Sequence, residues 1–280
     1  MIDPHPPPDA LGARAWMPGR DIADGLLAAL FSSPCVVCGR VMDHPTQGAA
    51  CDDCWRAVRL ITPPICQVCG EPLASGRIAV ADDQPPALPL WCAVCSARRP
   101  RIEIARAVGA YEGTLRDLLH ALKFDGRRSL APRLGALIRV RCAPVLDRAD
   151  AVIPVPLHPR REWTRGFNQA ELIARELGLP VWRQLRRRRH TSSQSTLAAA
   201  ERWRNVAGAF ALRPRFCGRA RQSRLAGARV VLVDDVQTTG ATLESCAEVL
   251  EHAGVHEVRA VTVARAVLTY PAPAAPRGAR

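Results

Sequence analysis

Eight cysteines between Cys35 and Cys95 fall into four Cys-x-x-Cys pairs, and no other feature of the 280-residue chain narrows its fold as much. The pairs are Cys35/Cys38, Cys51/Cys54, Cys66/Cys69 and Cys92/Cys95; 12 residues separate the first two and 22 the last two. A Cys-x-x-Cys turn sets two thiolates on one side of a metal, and two such knuckles complete a tetrahedral all-thiolate site. Gly39 and Gly70 directly follow Cys38 and Cys69, where a tight knuckle favours a residue that tolerates positive φ. The series predicts two structural Zn2+ ions in closed sites, which hold a fold together and leave no coordination position for chemistry. Sequential pairing, first with second and third with fourth, closes the shorter loops and is the expected arrangement; spacing alone leaves an interleaved one open. A disulfide framework would need an oxidising compartment. Met1–Pro18, with Asp3 and the Pro6-Pro7-Pro8 run, has no basic segment followed by an apolar one, so the expected address is the cytoplasm. Cys142, Cys217 and Cys246 stand outside the pairs and are expected as small buried hydrophobes.

Length fits one ordinary domain plus a smaller module. A hydrophobic fraction of 48% excludes a wholly disordered chain. No run approaches the roughly 20 apolar residues needed to span a bilayer, so no membrane insertion is expected. Charge is uneven: Arg99–Arg229 holds 28 basic and 10 acidic residues, against 5 and 6 in Cys35–Arg98. The positive middle would draw an anionic partner such as a nucleic acid or a polyphosphate. Lys123 is the only lysine, and this Arg-, Ala- and Pro-rich composition equally fits a GC-biased genome.

Residues 21–31 place apolar groups at helical spacing and predict a short amphipathic helix. Ala81–Leu90, with three prolines, reads as a surface loop. From about Arg101 strands alternate with helices. Strands are expected at Ile102–Tyr111, Ala151–Val155, Ala228–Val233 and Glu257–Ala264. Helices are expected at Leu115–Phe124, Leu130–Cys142, near Asn168–Leu177 and at Ala241–Ala253. This alternation argues for an α/β fold with a parallel sheet covered on both faces. Trp55–Ile65 would join the two halves of the cysteine module, and the module and the sheet, which meet near residue 100, are expected to have separate cores.

The segment Val230–Leu243, VVLVDDVQTTGATL, carries the chemistry. Four apolar residues predict a buried strand that ends in Asp234 and Asp235, followed by a loop of hydroxyls and glycine and then a helix. Ligands of a parallel α/β sheet bind at the carboxyl ends of strands. Backbone N–H groups of Thr239–Thr242 at a helix start can cradle a phosphate, and the helix dipole favours its charge. Thr238, Thr239 and Thr242 add hydroxyl donors, while adjacent carboxylates suit the two hydroxyls of a ribose. A P-loop ATPase would need a Gly-rich loop before Lys123, and a dinucleotide site a G-x-G-x-x-G; neither is present. The segment describes a clamp for a ribose 5-phosphate.

That segment resembles the phosphoribosyl pyrophosphate (PRPP) motif of type I phosphoribosyltransferases. From Cys35 to about Ala264 the chain resembles the ComF family of bacterial competence and DNA-utilisation proteins, typified by ComFC and GntX. The resemblance rests on the paired cysteines, Leu122-Lys123-Phe124-Asp125-Gly126, Pro154-Val155-Pro156-Leu157-His158 and Arg165-Gly166-Phe167-Asn168-Gln169-Ala170. The spaced Gln194, Leu197, Arg202 and Asn205 also match. Gln237 departs from it, since many relatives have an apolar or hydroxyl residue there. The resemblance implies a parallel-sheet type I phosphoribosyltransferase domain over 101–268, preceded by a small double zinc ribbon over 35–98. Residues 1–34 would be a tail with the short helix, and 269–280 a disordered tail. It implies PRPP and Mg2+ as ligands, with Asp234 and Asp235 on the ribose and counted as catalytic. Thr238, Thr239, Gly240, Ala241 and Thr242 would hold the 5-phosphate. Arg165 and Lys123, with Arg160 and Arg161, would meet the pyrophosphate. A phosphoribosyl group would pass to an unknown acceptor in a role linked to DNA uptake. The alternative is a PRPP-sensing accessory that binds single-stranded DNA beside a DNA-translocating ATPase. Arg186–Asn205 resembles a mobile loop that closes over PRPP, and its Arg186–Arg189 run also reads as a nucleic-acid patch or a disordered charge block.

Overall fold

The computed structural model describes residues 33–42, 48–73, 90–189, 203–204, 206, 208–214 and 224–267. The helix expected at 21–31, most of the loop at 81–90, the tail after Tyr270, and Gln194, Leu197, Arg202, Asn205 and Cys217 lie outside them. Two one-turn helices, α1 (Asp52–Arg56) and α2 (Ala93–Ala97), begin directly after Cys51 and Cys92. The alternating region follows as β1 (Ala105–Ala110), α3 (Gly113–Phe124), α4 (Ala131–Arg141), α5 (Ala143–Leu146), β2 (Ala151–Pro154), α6 (Pro159–Arg165) and α7 (Gln169–Arg175). It continues as β3 (Leu185–Arg187), β4 (Phe210–Leu212), β5 (Arg229–Gln237), α8 (Ala241–His252) and β6 (Glu257–Arg265). Among the described residues no helix is long and apolar enough to cross a membrane.

β1, β6, β5 and β2 lie in that order in one parallel sheet, as the alternation of elements requires. Pleating sends successive β5 side chains to opposite faces. Val231 and Val233 join a first core with Leu115, Leu118, Leu119 and Leu122 of α3 and with Leu134, Ile138 and Ile173. Val230 and Leu232 join a second core with Leu243, Cys246 and Leu250 of α8. In α3 the buried leucines recur at helical spacing, which fixes the face it turns to the sheet.

The expectation of separate cores is overturned. Cys35, Met42, Cys54, Trp55 and Val58 of the cysteine module belong to the same buried cluster as the α3 leucines and Val261 and Val263 of β6. α1 lies against α4: the Arg133 guanidinium sits 4.9 Å over the Trp55 ring and donates to Asp52 Oδ1 at 2.6 Å. The chain beyond α1 then runs antiparallel along β1. Ile61 N–H donates to Val108 O (3.0 Å) and Ala110 N–H to Arg59 O (2.9 Å). Gly109 permits this approach, because a Cβ there would stand 2.6 Å from Arg59 O. The module thus covers what would otherwise be an open sheet edge. Sequence periodicity cannot reveal such a junction, since Trp55 and Val58 look the same whichever core receives them.

A second difference concerns the arginine run. Leu185–Arg187 pairs antiparallel with Phe210–Leu212, so Arg186 and Arg187 belong to a two-stranded ribbon rather than to a disordered charge block. The Arg187 guanidinium lies 5.3 Å over the Phe210 ring.

Candidate functional site

The eight paired cysteines gather into two quartets, Cys35/Cys38/Cys51/Cys54 and Cys66/Cys69/Cys92/Cys95, with all sulfurs of a quartet within 4.8 Å of one another. This is the sequential pairing. Sγ separations are 3.7 Å for Cys35–Cys54 and for Cys38–Cys51, and 3.6 Å for Cys69–Cys92. A tetrahedral zinc with bonds of about 2.3 Å places its sulfurs about 3.8 Å apart, so both quartets fit a structural Zn2+. Cys142 and Cys246 are buried, in keeping with a packing role.

At the carboxyl end of the sheet, β5 does not stop at Val233. Asp234 pairs with Thr262, Val236 with Ala264 and Gln237 with Arg265, which carries the strand four residues further than its apolar run suggests. Gly240 then takes φ +80° at the start of α8, a left-handed turn that suits glycine. Thr239 Oγ1 accepts from Ala241 N–H at 3.4 Å. Thr238, Thr239 and Thr242 keep partial exposure beside the N-terminal turn of this 12-residue helix, and the positive end of a helix suits an anion.

Because both acidic residues are in the strand, pleating separates them. Asp235 faces the first core side, where Lys123 Nζ forms an ion pair with its Oδ2 and Gln169 Nε2 approaches its Oδ1 at 3.5 Å. Asp234 faces the α8 side and accepts the Asp235 backbone N–H at 2.9 Å. The expected side-by-side carboxylates are therefore two differently held groups. Asp234 retains some solvent contact, yet the protein packed around it pushes its carboxyl up to about 7, against the pull of Lys123 and Arg187. Burial pushes the Lys123 ammonium down to about 8; Asp234 opposes this and Arg165 adds to it.

α6 separates two clefts. One, of about 520 Å³, is lined by Lys123, Phe124, Arg160, Arg161, Arg165 and Phe167. The other, of about 480 Å³, lies between the turn after β2 and the β3–β4 ribbon, with Leu157, Glu162, Arg186, Arg187 and Arg213 in its walls. The Arg-Gly-Phe-Asn-Gln segment builds the first cleft by a series of local devices. Gly166 ends α6 at φ +74°, and Phe167 is buried. Asn168 caps α7 through the Ala170 N–H (3.0 Å), and its Nδ2 donates to Val155 O (3.0 Å), closing the turn after β2. Arg165 Nη1 donates to Gln169 Oε1 at 2.5 Å, so a polar relay runs Arg165–Gln169–Asp235–Lys123 across the site.

The structure brings Lys123, Arg165, Asp234, Asp235 and the Thr238–Thr242 turn to one end of the sheet. Lys123 sits on Asp235 rather than reaching out alone. Two roles escaped the sequence reading: that of Gln169, which is 4% exposed and links Arg165 to Asp235, and that of Arg187, whose charge Asp234 feels. The Arg-Gly-Phe-Asn-Gln segment was the available signal for Gln169. The arginine run pointed to Arg187 but not to its place beside Asp234, because its partner strand lies more than 20 residues away.

Comparison with known proteins gives two family matches: a double zinc ribbon domain over residues 26–83 and a phosphoribosyl transferase domain over residues 164–275. The first match stops short of Cys92 and Cys95, which the fold returns to Cys66 and Cys69. Competence protein F of Haemophilus influenzae is 30% identical over 246 residues, 84% of this chain and 98% of that protein. DNA utilization protein YhgH of Salmonella typhimurium is 33% identical over 219 residues, 75% of this chain and 87% of the relative. Competence protein ComFC of Bacillus subtilis is 28% identical over 214 residues, covering 72% and 85%.

Proposed function

Because this chain belongs to the ComF/YhgH family of competence and DNA-utilisation proteins, with a phosphoribosyltransferase domain behind a double zinc ribbon, we propose that it binds PRPP with Mg2+ and transfers the phosphoribosyl group to an acceptor. The observation that carries this reading is the β5–α8 unit. Its carboxylates, hydroxyl turn and helix start converge where a parallel sheet takes its ligands.

In this reading the Thr238–Thr242 turn takes the 5-phosphate through backbone N–H groups and hydroxyls. Asp234 and Asp235 hold the ribose hydroxyls from either side of the strand. Lys123, Arg160, Arg161 and Arg165 draw the pyrophosphate into the first cleft, where charge-assisted donors stabilise it as it leaves. Asp235 is already neutralised by Lys123, so Asp234 is the carboxylate that fits an oxygen-seeking Mg2+. That ion would neutralise pyrophosphate charge. The chain positions and neutralises; no side chain acts as a covalent nucleophile. Titration with PRPP, with and without Mg2+, followed by a pyrophosphate-release assay against candidate acceptors, is the test. Saturable Mg2+-dependent binding is expected, and its absence would remove the reading.

A second reading, PRPP sensing by a non-catalytic protein that holds single-stranded DNA beside a DNA-translocating ATPase, draws support from the mouth of the first cleft. Phe124, 64% exposed, lines the cleft beside its arginines, and Trp163, 88% exposed, stands on the same α6 that carries Arg160, Arg161 and Arg165. Aromatic faces among cations suit unpaired bases. PRPP binding without turnover, together with DNA affinity that falls steeply with salt, would favour it.

A further inference from the structure

The end of β6 joins the second cysteine quartet to the candidate site through one side chain. Arg265 is 6% exposed, and its guanidinium is spent on the zinc-ribbon side. Nε donates to Glu71 Oε2 (2.5 Å) and Nη1 to Cys69 O (2.8 Å), while Nη2 lies 3.7 Å from Cys69 Sγ. A thiolate in a zinc quartet carries the charge that makes such an N–H···S contact favourable.

The backbone around Arg265 is fixed to two parts of the site. In register it pairs with Gln237, the last residue of β5 before the hydroxyl turn, and the Ala266 N–H donates to Gln237 O at 2.8 Å. On its other side, Arg265 O accepts from Tyr111 N–H at 2.7 Å. The Tyr111 ring lies 5.8 Å from Lys123 Nζ, and Lys123 pairs with Asp235. Gln237 is itself 6% exposed, and its Nε2 is the nearest atom to a Cβ built on Gly240, at 3.5 Å. Its Oε1 is buried and accepts no hydrogen bond among the described residues. The root of the turn thus holds a buried polar side chain whose oxygen has no partner among the described residues, on a backbone held by Arg265's strand.

Among the described residues no arginine from a strand end reaches a sulfur of the first quartet. Its half of the module meets the sheet domain through the apolar cluster of Trp55, Val58 and the α3 leucines, through Arg133 on α4, and through Arg59, which pairs with Glu112 and with the β1 backbone. We propose that Arg265 is a positioning residue through which the Cys66/Cys69/Cys92/Cys95 quartet, and not the first quartet, sets the order of the Thr238–Thr242 turn and of Lys123. Metal at the second quartet fixes Cys69 and Glu71; these fix the Arg265 side chain, and its backbone fixes Gln237 and Tyr111. The inference concerns ligand affinity only if the PRPP reading holds, but loop order can be measured without any ligand.

The test is hydrogen exchange by mass spectrometry on the full chain, following a peptide over residues 236–243 with one from β2 as reference. The proteins compared are the parent, Arg265→Gln, Glu71→Gln, Cys92→Ser and Cys38→Ser, each with its zinc content and thermal midpoint measured. Arg265→Gln and Cys92→Ser should speed exchange in 236–243 by at least about fivefold, the low end of ordinary coupling between sites, with the β2 peptide unchanged. Glu71→Gln should give a smaller increase, and Cys38→Ser no selective one. By reciprocity, saturating PRPP should slow zinc loss to a chelator from the second quartet only, and Arg265→Gln should abolish that protection. Unchanged 236–243 exchange in Arg265→Gln and Cys92→Ser overturns the proposal, as does an equal selective increase in Cys38→Ser. If a cysteine variant fails to fold, Arg265→Gln and Glu71→Gln decide, since both keep all eight ligands. Selective loosening in the variants of a protein whose parent form binds no PRPP would uphold the Arg265 link and remove the PRPP reading instead.

Discussion

The two faces of the sheet are built to different standards. The first carries α3, α4, α7 and the first cysteine quartet, and its buried leucines and isoleucines form one continuous cluster. Its acidic residue, Asp235, is matched by Lys123 and approached by Gln169. The second face carries α8 and the narrow β3–β4 ribbon. Its acidic residue, Asp234, is left with a carboxyl raised to about 7 and a hydrogen bond from the next residue's N–H. One face stores stability; the other keeps a charged group poised between states, which a ligand can resolve. Burying a carboxylate without a full set of partners costs the fold and serves a site.

The contrast fails at once if the first quartet proves dispensable. Cys54→Ser removes a buried ligand inside the shared core. Structural zinc contributes roughly 10–16 kcal/mol in small metal-dependent units, comparable with the roughly 5–15 kcal/mol of whole-domain stability. Loss of the cooperative thermal transition is expected along with one of the two zinc ions, as read by circular dichroism and metal analysis. A protein that lost that zinc and still melted normally would show that the module and sheet do have separate cores.

Next in size is Asp235→Asn. It strands the buried Lys123 ammonium and should cost about 3–5 kcal/mol in denaturant unfolding. On the opposite face Leu250→Ala deletes a fully buried α8 side chain, for an ordinary core loss of about 2–5 kcal/mol. If Leu250→Ala abolished folding as Cys54→Ser is expected to, the two faces would be equals.

Asp234→Asn sharpens the comparison from the other side. In the folded chain Asp234 titrates near 7, and in the unfolded chain near 3.9. Between those values the folded state binds more protons, so this group's contribution to stability falls as pH rises from about 4 to about 7. Asp234→Asn should remove that slope and leave the protein no less stable at pH 8. Its PRPP affinity should drop by roughly 1.5–3 kcal/mol, about ten- to hundredfold in Kd, by titration calorimetry. The parent's affinity should climb as pH passes about 7, and the variant's should lack that inflection. The smallest effect belongs to Arg186→Gln. Arg186 is exposed and donates to Leu212 O within the ribbon, so stability should change by less than about 0.5 kcal/mol. A large loss would assign the ribbon a structural weight that the second face lacks.

Legibility in the sequence followed the range of the interactions. The four cysteine pairs and the hydroxyl turn before α8 are set by residues close together in the chain, and spacing was enough to read them; the sequential pairing was favoured by loop length and fixed only by the fold. The continuation of β5 through Asp234, Asp235 and Gln237 depends on register with Thr262, Ala264 and Arg265, which no local pattern encodes. Once that register is known, pleating alone separates the two carboxylates. Trp55 in a core shared with α3, and Arg187 turned inward against Phe210, are likewise matters of partners distant in sequence. Gln169 is intermediate: its segment stood out, but only the packing of α7 against β5 brings it to Asp235.

The single lysine gives the site a chemical address. Lys123 Nζ is the one side-chain primary amine in the 280-residue sequence, and it lines the first cleft with a pKa lowered to about 8. An amine-selective reagent at mildly alkaline pH would therefore have one side-chain target, at the point where cleft, carboxylate and arginine relay meet. Its labelling rate turns occupancy of that cleft into a mass shift at one residue, whatever the acceptor proves to be.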